Sequence, residues 1–197
     1  DDSEDLKYFY PTSVMETGYD IIFFWVARMV MLGIELTGEI PFSEVYLNGL
    51  MRHDDGTRVS KSDPRPGDDP VEVIDKYGAD ALRFMIATGS SPGNDMKLVW
   101  PRLESARNFT NKLWNASRFT VEAVAAAEAE PAAPTSTDRW ILGRLDHVVS
   151  ETTRLLEGFH FGQAGRLINS FLWDEFCDWY IEASKARLRG DDPAQAA

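Results

Sequence analysis

Two cations and two hydroxyls fall within five residues at Arg58-Val59-Ser60-Lys61-Ser62, with little side-chain bulk between them. That composition suits a loop closing on a polyphosphate, because guanidinium and ammonium groups offset phosphate charge while hydroxyls donate to the remaining oxygens. Gly18 and Asp20 form a second candidate pair. A glycine lets a nucleotide approach the backbone closely, and a carboxylate accepts hydrogen bonds from ribose hydroxyls. Each set also has a plainer reading: a basic turn beside a strand is commonly just solvated, and Asp20 ahead of an apolar run also suits a helix cap.

These residues need a scaffold. Val45-Tyr46-Leu47-Asn48-Gly49-Leu50-Met51 reads as a buried strand, and Asp55-Gly56 predicts a tight reversal, so the strand ends in a projecting loop. Upstream, Tyr8-Phe9-Tyr10 with Ser13-Val14 suggests another strand and Thr17-Gly18 a turn. Asp20 then starts a helix that is apolar nearly all round and is expected to be buried on most sides. A β-α-β unit of this kind has parallel strands whose C-terminal ends share one edge, where open α/β sheets bind ligands. Gly18 and Asp20 therefore face the same crevice as the loop that begins at Arg52.

Downstream the pattern becomes helical. Asp69-Pro70-Val71-Glu72 predicts a capped helix ending near Gly78, and a second helix runs from about Asp80 to Thr88. After a loop over residues 90–95, Pro101 opens a longer helix with Leu103, Ala106, Phe109, Leu113 and Trp114 on its inner side and Arg102, Arg107, Lys112 and Arg118 outside. By themselves those cations read as the solvated face of an amphipathic helix. Residues 125–137 lack large apolar side chains and read as a linker. Beyond it, Ile141, Leu145, Val148, Val149, Leu155 and Leu156 repeat at helical spacing up to Gly158, and a partner helix runs from about Gly162 to Leu188, giving an antiparallel hairpin. Phe171, Trp173, Phe176, Trp179 and Tyr180 on that partner read as core rather than as a base-stacking platform.

Composition narrows the classes. The 197 residues are 44% hydrophobic and 26% charged, as expected of a globular protein. The longest apolar stretch, residues 21–32, is too short to span a bilayer and contains Arg28, so no membrane partner is expected. The acidic start, Asp1-Asp2-Ser3-Glu4-Asp5, lacks the layout of a signal peptide, and a cytoplasmic location is expected. One cysteine excludes an internal disulfide, and three scattered histidines give no metal-ligand spacing. The net charge of −12 argues against nucleic-acid binding through an overall basic surface. Residues 1–100 hold 9 Lys+Arg against 18 Asp+Glu, and residues 101–197 hold 11 against 14, so any RNA contact belongs to the second half.

Several further motifs extend the pattern: Thr17-Gly18-Tyr19-Asp20-Ile21-Ile22-Phe23-Phe24-Trp25, Tyr77-Gly78-Ala79-Asp80-Ala81-Leu82-Arg83, Asn111-Lys112-Leu113-Trp114-Asn115, and Trp173-Asp174-Glu175-Phe176-Cys177-Asp178-Trp179-Tyr180. Together with the Arg58–Ser62 loop they resemble the class I aminoacyl-tRNA synthetases, most closely the valyl branch. The loop stands where that family usually has Lys-Met-Ser-Lys-Ser. It departs from the pattern at Arg58 and Val59, and again at Asp63-Pro64-Arg65-Pro66-Gly67-Asp68, which adds prolines and acid beside the loop.

The resemblance implies an α/β part followed by an all-helical part. Residues 1–62 correspond to the second half of a Rossmann-like nucleotide-binding domain, residues 63–124 to a helical region against the tRNA stem, 125–137 to a linker, and 138–197 to the start of an antiparallel anticodon-binding helix bundle. The implied reaction joins valine to ATP with release of pyrophosphate and then passes the valyl group to tRNA(Val). Lys61 and Arg58 would act on the phosphates, and Gly18, Asp20, Ser60 and Ser62 would help hold ATP. Arg102, Arg107, Lys112 and Arg118 would contact tRNA. Mg2+ accompanies ATP, and a monomer is implied. The family's His-x-Gly-His signature, first half-sheet and editing domain have no counterpart here. The chain is therefore expected to be a downstream part, inactive alone in amino-acid activation, and a tRNA-binding segment without catalysis is the alternative.

Overall fold

The computed structural model describes residues 3–89, 91–126 and 133–189. The chain divides into two units: a strand unit of residues 1–64 with 90–98, and a helical unit of residues 65–89 with 99–197.

The strand unit opens on a helix, α1 (Glu4–Phe9), where a strand was expected at Tyr8-Phe9-Tyr10. Ser3 accepts a hydrogen bond from the Leu6 amide, and Glu4 and Asp5 occupy the first turn, so local capping outweighs the aromatic run. Strand β1 (Thr12–Gly18) then pairs in parallel with β2 (Phe42–Asn48), from Thr12 opposite Phe42 to Gly18 opposite Asn48. The expected parallel pair is present. Thr17 and Gly18 end β1, and the reversal falls instead to a 3-10 turn, Tyr19–Ile21, and a π-helical turn, Ile22–Val26. Helix α2 (Ala27–Thr37) follows and stops at Gly38.

The apolar run that feeds α2 is not buried on most sides as expected. Phe23 is 75% and Leu36 78% exposed, whereas Val26 is buried. A two-stranded sheet is one strand spacing wide, about 5 Å, and cannot cover a helix that is apolar all round. A second parallel pair, β3 (Met51–Arg52) with β4 (Met96–Lys97), joins the base of the loop to residues 90–98. Two residues carry no readable alternation, and β4 was not foreseen.

In the helical unit, Asp69 accepts from the Val71 amide at 2.9 Å and Pro70 begins α3 (Pro70–Tyr77), as expected. Glu72 accepts from the Gly67 amide at 3.2 Å. Helices α4 (Ala79–Gly89) and α5 (Trp100–Ala126) close the core around Val73, Leu82, Met85, Leu103 and Phe109, and Leu103 has no exposed surface. Leu113 and Trp114, expected inside, are exposed. Trp114 lies two positions from buried Ala116, about 200° around the helix, and so points outward, whereas Leu113, about 60° from Ala116, lies toward the buried side and is still 43% exposed.

Thr135 and Asp138 form a capping box at the start of α6 (Ser136–Glu157). After Gly158 the chain continues through α7 (Phe161–Ser170), a π-helical stretch Phe171–Ile181, and α8 (Glu182–Leu188). Asp138 meets Tyr180 and Arg187, while Arg144 meets Glu175 through paired bonds of 2.6 and 2.8 Å, so the hairpin is antiparallel. Trp179, expected in the core, is 72% exposed. The wider i→i+5 turns bury Cys177 and Ile181, and Trp179 lies midway between them on the outward side. Of the expected linker, residues 127–132 lie outside the described residues. No helix among the described residues is long and apolar enough to cross a membrane.

Candidate nucleotide site

At the C-terminal edge of the β1/β2 pair, Gly18 and Asn48 lie side by side, and Asp20 follows within the 3-10 turn. A Cβ on Gly18 would come within 2.7 Å of an Asp20 carboxylate oxygen, so the glycine leaves room for Asp20 to fold back over the strand end. The loop reaches the same edge as a hairpin. His53 donates to the Thr57 carbonyl and Val59 to that of Met51, while Gly56, at φ 85°, takes the left-handed turn position. Asp55 steadies the turn by accepting from both the Thr57 amide and hydroxyl.

Arg52 and Arg58 face each other across this hairpin. Arg52 is held from three sides: it pairs with Asp95, donates to the Gly56 carbonyl at 3.1 Å, and lies in hydrogen-bond reach of Tyr19. The Asp95 carboxyl sits below the usual carboxylate range, first because the Leu50 amide donates to it at 2.9 Å and second because of Arg52. Arg58 instead donates to Asp20 at 3.0 Å, with side-chain exposures of 58% and 28%.

The loop's remaining residues differ from one another. The Ser60 and Ser62 hydroxyls are 2.8 Å apart, and the Ser62 amide also donates to Ser60. Lys61, between them, is exposed and forms no ion pair among the described residues. Gly18, Asp20 and Arg58 are thus gathered at one edge, the serines are tied to each other, and Lys61 projects freely. Sequence reasoning did not find Tyr19, Arg52 and Asp95. Arg52 and Asp95 are 43 residues apart and carry no local pattern.

With this geometry in view, comparison with known proteins is decisive for the family. Residues 1–99 match the tRNA synthetases class I (I, L, M and V), and residues 138–197 match the anticodon-binding domain of tRNA ligase. The chain belongs to the class I tRNA synthetases. This synthetase chain is 55% identical over 193 residues to a valine–tRNA ligase of Dehalococcoides mccartyi and 50% identical over 196 residues to one of Bacillus subtilis. Those alignments cover 97% and 98% of the chain, which spans 22% of the length of either relative. Among solved structures, Mycobacterium tuberculosis methionyl-tRNA synthetase bound by methionyl-adenylate superposes over 100% of this chain and 39% of its own, with TM-score 0.75 and 20% identity. An Agrobacterium radiobacter K84 LeuRS in a ternary complex with tRNA covers 89% of this chain and 23% of its own, with TM-score 0.70 and 21% identity. These likenesses give the fold: a Rossmann-like α/β part followed by a helical part.

The four cations expected on one side of α5 do not share a face of this synthetase's helix. At about 100° per residue, Arg107 and Arg118 are about 20° apart, but Arg102 lies about 140° and Lys112 about 140° from Arg107 in opposite directions. Arg107 sits 3.5 Å from Glu104 and over the Tyr77 ring, and Arg118 is 3.9 Å from Glu122. Lys112 lies 2.8 Å from Asp178 and 4.1 Å above the Trp173 ring, so it ties α5 to the last helical stretch. Arg102 is exposed.

Proposed function

We propose that the chain acts within a valine–tRNA ligase, which joins valine to ATP and transfers the valyl group to tRNA(Val). The supporting observation is the convergence of Gly18, Asp20 and the Arg58–Ser62 loop at the C-terminal edge of one parallel strand pair. In the first step the valine carboxylate attacks the α-phosphorus and pyrophosphate leaves, so no protein nucleophile is needed. Lys61 carries the cation that meets the phosphates as charge redistributes, Arg58 supports it, and Ser60 and Ser62 set the loop's shape. Gly18 and Asp20 hold the adenosine part. Mg2+ would come with the polyphosphate, with its ligands supplied chiefly by phosphate and water, and would offset the phosphate charge.

The domain plan follows the same reading: residues 1–62 serve the nucleotide, 63–124 lie along the tRNA stem, 125–137 link, and 138–197 begin the anticodon-binding bundle. Arg102, Arg107 and Arg118 offer cations to tRNA phosphates, and Lys112 contributes mainly by positioning. A monomer in the cytoplasm completes the proposal.

A chimera tests it, with residues 1–197 replacing the aligned segment of the Bacillus subtilis valine–tRNA ligase. Valine-dependent exchange of pyrophosphate into ATP, followed by valylation of tRNA(Val), is the expected result. A folded chimera that binds tRNA(Val) yet shows no exchange would instead make this chain a tRNA-binding segment without catalysis.

A further inference from the structure

The two arginines that face each other across the hairpin have unequal holders, and the difference carries a consequence for nucleotide entry. Arg52 is anchored by Asp95 and the Gly56 carbonyl, which fixes the first strand of the hairpin. Arg58, directly opposite, is held by Asp20 at 3.0 Å in a pair open to solvent. Asp20 also stands beside Gly18, at the strand end where the reading above seats ribose. One carboxylate therefore has two customers: a guanidinium of its own chain and the hydroxyls of a ribose.

We propose that the Asp20–Arg58 pair is a latch that ribose opens. Without ligand it draws the second strand of the hairpin, and with it Ser60-Lys61-Ser62, toward the Gly18 turn. A ribose diol that donates hydrogen bonds to Asp20 displaces the guanidinium, and Arg58 becomes available to phosphate as the triphosphate arrives. Recognition of the sugar is thereby linked to release of a phosphate-binding cation. The first hairpin strand stays in place because Arg52 has its own anchors. This inference rests on Asp20 being a ribose-binding residue.

The latch makes a prediction of opposite sign for two ligands. Because Arg58 competes with ribose for Asp20, removing it should tighten binding of a nucleoside; because Arg58 also helps hold phosphate, removing it should not tighten ATP. A solvent-exposed ion pair sets the size, roughly twofold to fivefold in affinity. Adenosine, 2′,3′-dideoxyadenosine and ATP are titrated into the chimera with the Bacillus subtilis valine–tRNA ligase and its Arg58→Ala variant by calorimetry, with hydrogen exchange at the Val59 and Ser62 amides followed in parallel without ligand. Arg58→Ala is expected to tighten adenosine, leave dideoxyadenosine unchanged, weaken ATP or leave it unchanged, and speed exchange at both amides. Adenosine affinity that is unchanged or weaker in Arg58→Ala, with adenosine bound by the unaltered chimera, overturns the latch and leaves the nucleotide site standing. If the unaltered chimera binds neither adenosine nor ATP, the ribose role of Asp20 falls and the latch with it. Unchanged exchange at Val59 and Ser62 in Arg58→Ala overturns it whatever the ligands do.

Discussion

The helical unit and the strand unit hold their shapes by different means. In the helical unit, Leu103, Val73, Met85 and Phe109 are buried together, and close packing fixes α3, α4 and α5. In the strand unit, buried apolar side chains are few, chiefly Val26, Phe42 and Met96, while Phe23 and Leu36 stand in solvent. Its order near the site comes from ladders and polar ties: the β1/β2 and β3/β4 pairs, the Arg52–Asp95 anchor and the Arg58–Asp20 bridge. The candidate site residues sit where directional contacts, not core packing, set the geometry. Such contacts can be exchanged for a ligand's.

The largest expected effect breaks the packed unit. Leu103→Ala removes a side chain with no exposed surface and should lower stability by about 2–5 kcal/mol, read from urea unfolding followed by far-UV circular dichroism. Phe23→Ala in the strand unit should change it by no more than about 0.5 kcal/mol. Equal losses would erase the distinction between the units.

The helical unit also has polar ties of the strand-unit kind, and the one at Asp138 sharpens the contrast. Asp138 lies well below the usual carboxylate range, first because Arg187 donates to it and then because the Thr135 amide and hydroxyl do, against the opposing effect of burial. A carboxyl whose folded pKa is depressed stabilises the fold above its unfolded pKa, near 3.9, and that contribution is lost as pH falls through the folded value. Asp138→Asn should therefore cost about 2 kcal/mol at pH 7, and the gap to the unaltered protein should narrow as pH drops below about 4. A gap that stays constant from pH 7 to pH 3 would remove charge from the explanation.

In the strand unit Asp95 plays the corresponding part, held low by the Leu50 amide and Arg52. Asp95→Ala should accelerate hydrogen exchange at the Leu50 and Val59 amides while leaving the core amides of α5 protected. If α5 loosens as well, the tie is not local. The smallest effect concerns tRNA: neutralising Arg107 and Arg118 together, which lie about 20° apart on α5, should flatten the slope of log affinity against log salt by roughly one to two units. An unchanged slope assigns both residues to a solvated face.

Sequence revealed those features whose causes are local. The Asp69-Pro70 helix start and the Asp55-Gly56 reversal each depend on neighbours within a few residues, and both formed as read. The parallel pairing of β1 and β2 followed from topology, and with it the meeting of Asp20 and the loop. What escaped depends on distant or geometric facts. Arg52 and Asp95 meet across 43 residues, β4 is too short to show alternation, and Trp179 turned outward because a π-helical stretch changes the period that a 3.6-residue reading assumes. At Tyr8-Phe9, the Ser3 cap prevailed over aromatic β preference.

If the Arg58–Ser62 loop supplies charge to the transition state of amino-acid activation, as proposed, Lys61 is the residue whose removal shows it. Lys61→Ala and Arg58→Ala are introduced into the chimera with the Bacillus subtilis valine–tRNA ligase, and valine activation is followed in single turnover with ATP affinity measured separately. For Lys61→Ala the account predicts that kcat and kcat/KM fall together by roughly a hundredfold or more, with ATP affinity little changed and a smaller loss for Arg58→Ala. A rise in KM alone for Lys61→Ala, or a larger loss for Arg58→Ala, would contradict it and make the loop a ground-state ATP clamp.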